Sequence, residues 1–140
     1  MRKQFSNQEI LTYAEQLNKI FLESKQDIDL PIRINFYLQK NIKTFLEAAQ
    51  EIDVLRLKIG EKYGEFNSQT GTYNIKDPTK LALAQKDMDQ LMSIDQILDV
   101  KMISLTELEK EAKLNVAQMN AMFFMIDDDI EDDIQFIDME

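Results

Sequence analysis

The chain has 140 residues, 44% of them hydrophobic and 30% charged, with a net charge of −10, no Cys and no His. That composition is the one a single globular domain has, not a disordered chain. It excludes disulfide-stapled scaffolds, zinc sites built on N or S ligands, and the usual catalytic triads.

No run approaches the eighteen or so apolar residues a membrane helix requires. Met1-Arg2-Lys3-Gln4-Phe5-Ser6 is basic but has no apolar stretch behind it, because Glu9 and Glu15 intervene. The expectation is no signal peptide and a cytosolic protein. Ser6-Asn7-Gln8-Glu9 fits a capping box, with Ser as N-cap and Glu three residues on. Ile10, Tyr13 or Ala14, Leu17, Ile20 and Phe21 then recur at helical spacing, which predicts a first helix over about 7–24. Residues 26–30 read as a loop, and Pro31 suits the first turn of a second helix.

In that second helix Leu38, Ile42, Phe45, Ala49, Ile52, Leu55 or Arg56, Ile59 and Tyr63 form a seam with steps of three and four. A helix over 31–63 spans about 50 Å at 1.5 Å per residue. A 140-residue globule is roughly 37 Å across. The helix therefore has to kink, protrude, or lie along a second copy or partner, which makes a homo-oligomer through 31–63 one expectation. Gly64 reads as the residue just past its end. Phe66, Tyr73 and Ile75 flank a polar turn over Asn67–Gly71, the pattern of a small β-hairpin. Asp77 N-caps a third helix with Pro78 at its first position. Leu81, Ala84 or Gln85, Met88, Leu91 and Met92 give its apolar stripe, which ends near Ser93.

Over 96–103, Leu98, Val100 and Met102 alternate with Asp99 and Lys101, as in a half-buried strand. Its expected partner is the hairpin, giving three strands. Ser104-Leu105-Thr106-Glu107 is a second capping box, opening a short helix to about Lys113. Asn115 caps a last helix carrying Val116, Met119, Met122, Phe123 and Ile126. The fold class is α+β, mostly helical: a long antiparallel helical hairpin, a small β-hairpin or three-stranded sheet, and two or three short helices.

Chemistry is sparse. Three glycines, at 60, 64 and 71, make no phosphate loop. Most acidic residues fall on polar helix faces, where solvation accounts for them, so no enzyme and no cofactor are expected. Residues 127–140 read DDDIEDDIQFIDME and hold eight acidic and no basic side chains. Residues 1–126 hold eighteen acidic and sixteen basic ones, a balance of −2. The acidity is therefore local, and the domain boundary is drawn between 126 and 127. Lys40 with Lys43, and Arg56 with Lys58 and Lys62, are interleaved with Glu47, Glu51, Asp53 and Glu61, so direct nucleic-acid binding is not expected. Asp127, Asp129 and Glu131 match the start of a calcium loop, but Asp132 stands where that loop needs Gly, so no metal site is assigned.

Ile130, Ile134 and Ile137, with Phe136 beside them, form an apolar stripe on the acidic segment if it is helical. Five apolar residues in a row, Met122–Ile126, cannot all face inward on one helix. The candidate partner-binding residues are therefore Met122, Phe123, Phe124, Asp127, Asp128, Asp129, Ile130, Asp132, Asp133, Ile134, Phe136 and Ile137. Core packing of the Met-rich helix and a plain solvated terminus are the competing readings.

Leu17-Asn18-Lys19-Ile20, Leu30-Pro31-Ile32-Arg33-Ile34-Asn35-Phe36 and Asn41-Ile42-Lys43 run in order into the long charged helix. Glu61-Lys62-Tyr63-Gly64 ends that helix; Leu91-Met92-Ser93-Ile94-Asp95, Ile103-Ser104-Leu105-Thr106-Glu107-Leu108 and Met125-Ile126 follow. In these features residues 7–126 resemble a family of small bacteriophage proteins of unknown function. The match is one of helix lengths and punctuation, with no catalytic motif to carry over. The resemblance implies a phage origin, a non-enzymatic role and the host cytoplasm as location. Two functions are then expected in turn: an inhibitor that binds a host or phage protein, or a structural or assembly component of the phage particle.

Overall fold

A computed structural model describes residues 1–23, 29–111 and 113–127 of the chain. The fold is α+β and mostly helical. β1 (Arg2–Ser6) leads directly into α1 (Asn7–Leu17), which continues as a π-helical turn, Asn18–Glu23. The long α2 (Ile32–Tyr63) follows, then the hairpin of β2 (Glu65–Asn67) and β3 (Thr72–Asn74), then α3 (Pro78–Ser93). The chain continues with β4 (Asp95–Asp99), β5 (Ile103–Ser104), α4 (Leu105–Glu111) and α5 (Val116–Met122). A 3-10 turn, Phe123–Met125, and β6 (Ile126–Asp127) follow.

Helix starts follow local chemistry. The Ser6 hydroxyl accepts the Glu9 N–H at 3.1 Å, and the Glu9 carboxylate accepts the Ser6 N–H at 2.9 Å, closing the expected box. Asp77 accepts the Thr79 N–H at 2.9 Å with Pro78 in the first turn, as expected. Asn115 and Gln118 form a reciprocal box at 2.8 and 2.9 Å. Pro31 sits one residue earlier than expected, at the N-cap of α2, with extended ψ of 146°. Gly64 does end α2, but its φ is −115°, not left-handed. Crowding explains the glycine instead. A Cβ there would lie 2.9 Å from the Gly60 carbonyl oxygen and 3.0 Å from that of Asn74, both backbone atoms. Gly64→Ala is accordingly expected to destabilise the protein by about 1–3 kcal/mol, with the loss concentrated at the hairpin. Thermal unfolding and amide exchange over 64–75 check this; unchanged protection there would contradict it.

α2 runs unbroken for 32 residues. The seam expected from the sequence is buried through Leu38, Ile42, Phe45, Ala49 and Ile52, where α1 covers it. Beyond Ile52 its support comes from α3 and the hairpin. The Tyr63 hydroxyl donates to Asp87 at 2.8 Å, and Lys62 lies 3.9 Å from the same carboxylate.

The β4 pairing differs from expectation. β4 pairs antiparallel with β1, Gln4 opposite Ile97, and not with the hairpin. The length of α3 decides this. Sixteen residues carry the chain about 24 Å from the hairpin, back along α2 to the start of α1. Asn7 fixes that junction: its backbone N–H donates to Ile94 O at 2.8 Å and its amide donates to Leu91 O at 2.8 Å. Its side-chain oxygen accepts from Gln96 at 2.7 Å. The three described sheets have two strands each: β1–β4, β2–β3, and the parallel pair β5–β6. Pairs this small are marginal alone and depend on the helices they pack against.

The centre of the core is aromatic. Phe5 from β1, Tyr13 from α1, Phe45 from α2 and Phe124 from the 3-10 turn meet with ring centroids 4.7–6.1 Å apart. Each ring comes from a different element, so the cluster ties together segments over 100 residues apart in sequence.

Candidate interaction surface

The Met122–Ile126 run resolves its own conflict by changing backbone geometry. α5 ends at Met122, a 3-10 turn carries Phe123–Met125, and the chain then extends into β6. Each change re-aims the next side chain, so Met122, Phe124 and Met125 are all buried. Met122 and Phe124, expected at a partner surface, therefore belong to the core in this conformation. Phe124 packs 4.7 Å from both Tyr13 and Phe45, and its carbonyl accepts from the Lys3 ammonium at 2.9 Å.

Phe123 is the exception, 76% exposed. Val116 is exposed seven residues earlier, two turns back along α5 and on the same side. A phenyl ring left in water on the same side as a second exposed apolar side chain is the kind of feature that marks a contact site. Its carrier is rigid: the neighbours Met122, Phe124 and Met125 are anchored in the core. Asp127 is half-buried and pairs with Ser104 in β6. The acidic segment thus begins in the strand that follows Phe123 and the turn. Asp128, Asp129, Ile130, Asp132, Asp133, Ile134, Phe136 and Ile137 lie outside the described residues.

A second apolar surface lies on the outward face of α2. Ile32, Phe36, Val54 and Leu57 of α2 are 84%, 55%, 50% and 51% exposed. Tracing the buried seam of α2 accounts for its inner face alone. Tracing the opposite face would have found these four, because they recur at helical spacing too. The ammonium of Lys40 lies over the Phe36 ring at 5.4 Å. Arg33 lies over Tyr37 at 5.6 Å and 3.8 Å from Glu107; Tyr37 first and Glu107 second hold its pKa above the usual value.

A depression between α1, α2 and α3 is lined by Leu11, Glu15, Arg56, Met88 and Met92. Its one cation, Arg56, is drawn to Asp53 at 3.0 Å. Among the described residues no three acidic side chains come close enough to hold a metal ion. No helix there is long and apolar enough to cross a membrane. Comparison with known protein families, with curated proteins and with solved structures finds no match to this chain.

Proposed function

We propose that this chain acts by stoichiometric binding to another protein, through Phe123 and the acidic segment that follows. The observation that carries the reading is the Phe123 ring, held 76% exposed by a turn whose other residues are locked in the core. The ring supplies an apolar anchor of the type that dominates interface energetics. The following eight negative charges supply long-range attraction to a basic surface and speed encounter. A partner that fits has an apolar pocket beside a positively charged groove, as a nucleic-acid-binding protein of a host cell has. With the phage resemblance of residues 7–126, this is the profile of an inhibitor acting in the cytoplasm of an infected bacterium.

Phe123→Ser tests this. The side chain is exposed, so stability is expected to change by less than about 0.5 kcal/mol. Capture of the partner from host or infected lysate is expected to fall at least tenfold relative to the wild-type bait, and raised salt is expected to weaken it further. Equal capture by both baits, or no saturable partner for either, would overturn the proposal.

A further inference from the structure

We infer that two copies of this chain pair through the outward face of α2, antiparallel and about a two-fold axis beside residue 45. Ile32, Phe36, Val54 and Leu57 fall within about 60° of one another around the helix axis, on the side away from the buried Leu38, Phe45 and Ile52. The stripe is not continuous. Its apolar residues sit at the two ends of α2, and exposed Lys40, Lys43, Glu47 and Gln50 occupy the middle.

That division selects the occupant. A foreign apolar helix laid along the stripe would strand the central charges. A second copy running antiparallel satisfies every part of it. Phe36 of one copy then lies opposite Val54 of the other, and Lys43 opposite Glu47; both pairs share residue 45 as midpoint. Ile32 falls against Leu57 and Lys58, and Lys40 falls beside Gln50 and Glu51. The two-fold axis repeats each contact, so the interface is isologous, with apolar clusters at both ends and opposite charges at the centre. In the parallel arrangement Lys43 would meet Lys43 and Glu47 would meet Glu47, which the same charges oppose. Arg33 approaches Lys58 of the copy, and Arg33 is already turned toward its own Glu107. The unbroken 32-residue length of α2 gives a continuous seam for this packing.

The test is sedimentation equilibrium of the full chain over a concentration series, at low and high salt. The wild type is expected to show a reversible monomer–dimer equilibrium. Lys43→Glu is expected to weaken it roughly tenfold or more, since two attractive contacts become repulsive. Lys43→Glu combined with Glu47→Lys restores complementarity and is expected to recover most of the loss. Phe36→Ser and Val54→Ser weaken it independently of salt. All these side chains are exposed, and circular dichroism verifies the fold of each variant. The chain has no cysteine, so a mixture of Lys43→Cys and Glu47→Cys chains reports orientation: antiparallel pairing crosslinks the two variants to each other, parallel pairing crosslinks each to itself. A full chain that stays monomeric overturns the inference. So does dimerisation seen only after residues 127–140 are deleted, because the acidic segment then competes for this face in the full chain. A dimer unaffected by the charge reversal, or crosslinked in the parallel sense, overturns it too.

Discussion

Replacing Phe45 by alanine is expected to cost roughly 3–5 kcal/mol, the largest single loss at any described position. The ring is fully buried and is the hub of the aromatic cluster. Phe5 lies 5.2 Å away, Phe124 4.7 Å and Tyr13 6.1 Å. These neighbours come from β1, the 3-10 turn and α1. None can collapse into the space without breaking its own anchor: β1 is held to β4, and Phe124 is held by Lys3 at its carbonyl. Part of the cost is lost apolar burial. The rest is the cavity and the lost edge-to-face contacts. With total stability of the order of 5–15 kcal/mol for a small domain, this variant should unfold at markedly lower urea. Phe45→Leu keeps much of the volume and should recover more than half of the loss. A Phe45→Ala chain as stable as the wild type would show that the cluster does not form as described.

The second large effect concerns a polar side chain. Asn41 is buried on the inner face of α2 among Leu38, Ile42 and Phe45. Its amide nitrogen donates to Lys101 O at 2.9 Å and its oxygen accepts from Lys101 N–H at 2.8 Å. One side chain thus serves both backbone groups of Lys101, as a neighbouring strand would. This holds the link between β4 and β5 against the long helix. The amide also lies 3.3 Å from the Met125 sulfur, on the turn that carries Phe123. Asn41→Leu matches the volume but leaves the two Lys101 groups without these partners, at a cost of about 2–4 kcal/mol. Asn41→Asp keeps an acceptor and buries a charge, so the carboxyl's pKa in the folded protein is raised above its unfolded value. The part of its penalty that comes from the charge is absent below the unfolded pKa and develops as pH rises from there to the folded one. Denaturant titrations of both variants across pH measure this. An Asn41→Asp penalty that shrinks with rising pH would contradict the arrangement.

What the sequence made legible was local. Ser6 with Glu9, Asp77 with Pro78, and Asn115 each mark a helix start, and the helices begin at those caps. The buried half of α2 was legible for the same reason: a seam repeating every three or four residues needs no knowledge of its partner. β1 was not legible, because its one buried residue, Phe5, makes no pattern. Its pairing with β4 joins residues about ninety apart, and only the length of α3 brings them together. Asn41 carries no such signal, because a polar residue inside an apolar seam reads as an interruption. Its role depends on Lys101, sixty positions away. As part of one helix, Met122–Ile126 has too many apolar residues for one face. The change from α-helix to 3-10 turn to strand removes that difficulty and leaves Phe123 alone outside. The same change splits the candidate site, with Met122 and Phe124 in the core and Phe123 on the surface.

The central proposal is that a surface does the work, one chain to one partner, and it is most directly tested by titration. The partner recovered with the wild-type bait is held at a concentration well above the dissociation constant, and its activity is followed as this chain is added. The expected result is a linear loss that ends at one chain per partner site, with the same end point after long incubation. Complete loss at a small fraction of that ratio, progressing with time, would mean turnover and would contradict it.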